Sequence, residues 1–133
     1  MHVIISVKHP NEKTFENLKS ICRAKESLFK KAFKTESLDI EETEDEIVFP
    51  WFMHESDGDT EVYSLFIEKL CNLAKSLKRV NPKKDKEVEN EKYAFRCFLL
   101  RLGFVGSQYK AARKVLLRNL TGSSAFKSGV KNS

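Results

Sequence analysis

The sequence predicts an α+β fold, a helical core of four to five helices with a short N-terminal strand and an antiparallel β-hairpin. Three observations predict it. Apolar residues recur at helical spacing over 12–34, 59–77, 92–102 and 109–120. A β-branched run opens the chain, and two alternating runs between residues 37 and 52 flank an acidic turn. The length of 133 residues, with 41% hydrophobic and 32% charged side chains, suits one globular domain over 1–133, ending in a flexible basic tail from about residue 123.

The first strand is carried by Val3, Ile4, Ile5 and Val7, and Pro10 cannot extend it. Asn11 is placed to cap the helix that follows, because its side-chain oxygen can accept from an otherwise unpaired backbone N–H. Phe15, Leu18, Ile21, Cys22, Leu28, Phe29, Ala32 and Phe33 give that segment its apolar stripe, and a break near Ala24 to Glu26 would divide it in two. Leu38, Ile40, Ile47 and Phe49 alternate around Thr43-Glu44-Asp45 as a hairpin, which Pro50 is expected to end. Trp51 and Phe52 then either join the core or stand exposed as a partner-binding anchor. A helix from Asp59 or Thr60 carries Val62, Phe66, Leu70, Leu73, Ala74 and Leu77. The stretch 81–91 has no apolar period and reads as a solvated loop. Two helices follow, bracketing a turn at Gly103 and Gly106. Phe95, Phe98, Leu99 and Leu102 stripe the first, and Tyr109, Ala112, Val115, Leu116 and Leu120 the second, with Gly122 expected to stop it.

The charges are unevenly placed. Residues 1–60 hold eight Lys and Arg against thirteen Asp and Glu, and residues 61–133 hold sixteen against six. No Lys or Arg occurs from Thr35 to Glu68, and no Asp or Glu from Lys92 to Ser133. In one reading the acidic hairpin neutralises the basic helices within the domain, each surface pair contributing about 0 to 1 kcal/mol. In the other, the basic face is free to meet phosphate.

The closing helix pair fits part of the helix-turn-helix pattern. With Gly103 as the turn glycine, the positions that need apolar side chains hold Phe98, Leu102, Phe104, Tyr109 and Ala112. Leu99 stands where close crossing of the helices favours a small residue. The outer face offers Arg96, Arg101, Lys110, Arg113, Lys114 and Arg118 as phosphate contacts. Lys78, Arg79, Lys83 and Lys84 form a second basic patch suited to the same task.

Enzymatic signatures are weak. The chain has no G-x-S-x-G, P-loop or dinucleotide fingerprint. Glu41, Glu42, Asp45 and His54 could serve a small metal-dependent nuclease, but acids on a hairpin turn are more often solvated than convergent. The same acids could mimic DNA toward a nucleic-acid-binding protein. No metal site and no cofactor is predicted. Cys22, Cys71 and Cys97 are odd in number, lack a C-x-x-C spacing and are expected as buried, reduced thiols. With no secretory signal and no apolar run of about 20 residues, the expected location is cytoplasmic, without membrane association.

The stretches Ile47-VFPWF, Ala74-KSLKRV and Asn90-EKYAFRCFLLRLGFVGSQYKAARKVLLRNLTGSSAF resemble the C-terminal part of "virulence-related" proteins on mobile elements of Firmicutes. Asn17-LKSICRAKESLFKKAFKTESLDIE is similar to that family's first helix and strand. The resemblance covers most of the chain and brings no catalytic residues. Longer members carry an additional N-terminal segment, so an activity lodged there is not implied. It does imply an accessory protein of a mobile element, regulatory or directed against host defence. The expectation is therefore a non-enzymatic binding protein acting on RNA or DNA, or on a nucleoprotein such as a CRISPR effector complex. The alternatives are a metal-dependent nuclease, a helix-turn-helix regulator, or a protein-interaction domain anchored by Trp51 and Phe52.

Overall fold

The computed structural model describes residues 2–86 and 89–122; the expected tail from about residue 123 lies outside them. The chain falls into two compact units, 1–85 and 86–133. Their described residues carry five α-helices and one three-stranded antiparallel sheet, the expected α+β class.

The first unit runs β1 (His2–Lys8), α1 (Glu12–Ala24), α2 (Glu26–Phe33), β2 (Glu41–Glu42), β3 (Glu46–Met53) and α3 (Asp59–Ser76). The sheet order is β1-β3-β2. Asn11 caps α1 as expected, accepting from Thr14 N at 2.8 Å. The helical stripe does break, at Lys25. α2 closes with Lys34 in the left-handed region at φ 53°, where Thr35 N reaches back to Lys30 O at 3.0 Å. A lysine there carries the Cβ strain that glycine would avoid.

Pro50 does not end the hairpin strand. β3 continues through it to Met53, because the register slips against β1: Val3 pairs Phe52, whereas Ile5 pairs Phe49. The extra residue opposite Ile4 is a bulge, the one place inside a sheet where a missing N–H costs little. The bulge also turns two consecutive aromatics toward the helices. Trp51 packs on Phe29 and Phe33, and Phe52 packs on Phe33 and Tyr63. With Phe49 and Phe66 these rings form the centre of the core. The indole N–H donates to Asp39 O at 2.8 Å, so the buried polar edge of Trp51 is satisfied.

Two polar side chains fix α3. The carboxylate of Asp59, fully buried, accepts from Glu55 N, Ser56 N and Ser56 Oγ at 2.7, 2.9 and 2.7 Å. At the other end, Asn17 of α1 donates to Ala74 O and Leu77 O, carbonyls that the helix terminus leaves open.

The second unit is a helical hairpin: α4 (Glu91–Leu102), a single 3-10 turn over Ser107–Tyr109, and α5 (Lys110–Leu117). Asn90, buried, caps α4 by accepting from Tyr93 N at 3.1 Å. Gly103 ends α4 at φ 106°, with Gly103 N bonded to Leu100 O and Phe104 N to Leu99 O. This paired closure needs a left-handed residue, which only glycine adopts without strain. α5 stops at Leu117 rather than Leu120, since residues 118–120 tighten into i→i+3 turns. Gly122 therefore has a different task from the expected helix stop. At φ 108° it passes against the side chain of Asn90, and a Cβ there would collide with the amide that caps α4. The bond from Lys92 N to Thr121 O holds this return in place.

Candidate nucleic-acid interface

The helical hairpin of the second unit brings cations together. Lys92 and Arg96, one turn apart on α4, share a face by the i, i+4 rule. Lys110 and Lys114 repeat that spacing on α5, and Arg118 follows one turn later. With Arg113 these side chains line a cleft of about 450 Å³, joined by the apolar Leu117. Among the described residues, no acidic side chain lines it. Lys110 and Lys114 are exposed, and Lys92, Arg96, Arg113 and Arg118 are half-buried. Among the described residues, Lys92, Arg96, Lys110 and Lys114 have no carboxylate partner.

Five of the ten expected phosphate contacts thus converge: Arg96, Lys110, Arg113, Lys114 and Arg118. Lys92 joins them and was not singled out from sequence, although its position one turn before Arg96 was the available signal. Arg101 is exposed but does not line the cleft. It lies five residues beyond Arg96, about 140° round the helix, and suits the negative end of α4 instead.

Arg113 differs from its neighbours. Its Nη1 donates to Phe104 O at 2.8 Å and to Gly106 O at 3.0 Å. The guanidinium therefore satisfies two carbonyls of the turn between the helices, where the positive φ of Gly103 and Gly106 bends the chain. It is a fixed cation, whereas Lys110 and Lys114 are solvated on flexible stems.

The second basic patch belongs to the first unit. Lys78, Arg79, Lys83 and Lys84 are exposed, but Lys84 Nζ pairs with Glu26 Oε2 at 2.9 Å and is not an uncommitted phosphate contact. The cause is the fold-back of this segment onto the α1–α2 junction, through Asp85 N to Ala24 O and the Lys25–Asp85 pair. Hydrogen bonds from Lys30 and Lys84 hold the Glu26 carboxyl at about 2.

Trp51 and Phe52 do not form an exposed anchor. They are 2% and 0% exposed, because the bulge directs both into the aromatic core. The acids proposed for a nuclease, Glu41, Glu42 and Asp45, are exposed. Glu42 is engaged by His9, whose Nε2 lies 2.7 Å from Glu42 Oε2 while Nδ1 lies 2.6 Å from Pro10 O. Both ring nitrogens face acceptors, so both bonds require the imidazolium, and these contacts raise the His9 pKa. His54 is half-buried in the loop after β3. Among the described residues, no three His, Cys, Asp or Glu side chains are grouped to hold a metal ion.

The thiols do not share one environment. Cys22 is buried and Cys71 half-buried, and burial pushes the Cys22 thiol up and that of Cys71 to about 11. Cys97 is exposed, contrary to expectation, because it falls on the outer side of α4 one turn after Tyr93. Its hydrogen bond with Tyr93 raises the phenol pKa.

No helix among the described residues is long and apolar enough to cross a membrane. Comparison with family models, curated proteins and solved structures returns no match.

Proposed function

We propose that this chain is a non-enzymatic nucleic-acid-binding protein whose α4–α5 cleft grips the phosphate backbone of a strand. The observation that carries it is the convergence of six Lys and Arg side chains on one cleft, with no acidic residue among its described lining. Like charges held this close repel one another and retain counterions. A strand of phosphates neutralises the one and releases the other, which favours binding. The described lining also holds no Asn, Gln, Asp or Glu, the side chains that complement base edges alongside arginine. Binding is thus positioned by phosphate and indifferent to sequence. This favours the backbone-gripping reading over a helix-turn-helix regulator.

The sequence resemblance supplies the setting: a mobile-element accessory protein whose target is the nucleic acid of a host-defence nucleoprotein, a CRISPR effector complex among them. The test of the binding claim is charge reversal at Lys110 and Lys114, exposed residues outside the turn. The K110E/K114E chain should lose at least about tenfold in affinity for a labelled oligonucleotide, since two phosphate contacts become repulsive. Equal affinity of the reversed and original chains overturns the proposal.

A further inference from the structure

We infer that Arg113 is the fixed anchor of the cleft, taking one phosphate group of the strand in a bidentate grip while the lysines around it supply diffuse attraction. The inference rests on the proposal that the cleft binds nucleic acid. Two bonds from Nη1, to Phe104 O and Gly106 O, orient the guanidinium before any ligand arrives. A guanidinium has five N–H donors in a planar fork. Those on Nε and Nη2 have no partner among the described residues, and the side chain lines the cleft. A fork with one arm tied to the backbone loses little freedom on meeting a second acceptor pair, which is the condition under which arginine outperforms lysine. Lys110 and Lys114 lie three residues before and one after it on α5, so a phosphate seated on Arg113 has flexible ammonium groups close by. The turn thus does two things: it joins the helices and pre-sets the one cation that fixes the strand's register.

The test uses the full chain and a fluorescein-labelled single strand of about 20 nucleotides, longer than one site. Affinity is measured against salt for the original chain, R113A and R113K. A direct contact predicts that R113A lowers the salt slope by about 0.7, one phosphate's worth on a single strand. R113K should restore that slope while staying about tenfold weaker, because the charge returns and the fork does not. A purely structural arginine would weaken R113A without changing its slope, and that result overturns the inference. If R113A does not fold, as judged by its helical circular dichroism, the original chain still decides. Its Arg113 Nε–H resonance should shift on titration with the oligonucleotide, and an unmoved resonance overturns the anchor. Should the original chain show no salt-dependent binding, the nucleic-acid reading itself fails. Binding by the original chain together with an unchanged R113A slope removes only the anchor.

Discussion

Trp51→Ala tests whether the hairpin aromatics hold the fold or recognise a partner. The indole is 2% exposed, lies 5.1 to 6.3 Å ring to ring from Phe49, Phe52, Phe29 and Phe33, and donates its N–H to Asp39 O. Truncating a buried tryptophan to alanine costs about 3 to 5 kcal/mol through lost transfer energy and the cavity left behind. Trp51→Phe keeps a ring in the cluster and removes the indole donor, so it should cost less, with about 1 kcal/mol assigned to the lost bond to Asp39. Urea unfolding followed by circular dichroism at the helical minimum measures both. The sole tryptophan also reports directly, since its emission in the original chain should move to the red as the core opens. A loss below about 1 kcal/mol for Trp51→Ala would refute the packing argument. Nucleic-acid affinity should be unchanged in whatever fraction of Trp51→Phe remains folded, because Trp51 is absent from the cleft lining.

Three further outcomes follow from single residues. Lys34→Gly should stabilise the chain by about 0.5 to 1 kcal/mol, the ~1 to 2 kcal/mol cost of holding a Cβ at φ 53° less glycine's extra entropy loss of about 0.5 to 1 kcal/mol, with the exposed Lys34–Glu55 pair contributing little; a measured loss of stability would contradict this. His9 should titrate above its ordinary 6.5, first through Glu42 and then through Pro10 O. Because the folded value is raised, its stabilising contribution is complete below the unfolded pKa and disappears as pH rises through the folded one. Glu42→Gln should bring the His9 titration down in a proton NMR series, and an unmoved midpoint would remove Glu42 as the cause. Cys97 should react quickly with a thiol reagent in the native chain while Cys22 reacts only on unfolding; equal rates would contradict their burial.

Local chemistry carried much of this fold. Asn11 caps its helix, the stripe breaks at Lys25, and Gly103 closes α4, each for reasons confined to a few neighbouring residues. What escaped the sequence depends on distant partners. Pro50 stays in its strand because β1 pairs across a bulge, and the same bulge buries Trp51 and Phe52 together against simple alternation. Gly122 looked like a helix stop, but its left-handed backbone serves the close approach to Asn90. In the site, helical spacing was enough to collect the cations of α5. Spacing alone places Lys92 beside Arg96, but its meeting with the α5 cations needed the pairing of two helices, and the tie of Arg113 to Phe104 O and Gly106 O needed the folded turn. Lys84 was misjudged because Glu26, which neutralises it, is remote in sequence.

The central claim is that the α4–α5 cleft binds a phosphate backbone, and the salt dependence of binding tests it most directly. Lys110, Lys114 and Arg118 span about 12 Å of helix. Together with the α4 cations they should engage about three phosphates, so that log Kobs for a single strand falls linearly with log salt at a slope of about −2 between about 50 and 200 mM. Mixed-sequence and homopolymer strands should give the same slope. Affinity that does not change with salt, or no binding at low salt, would contradict the account.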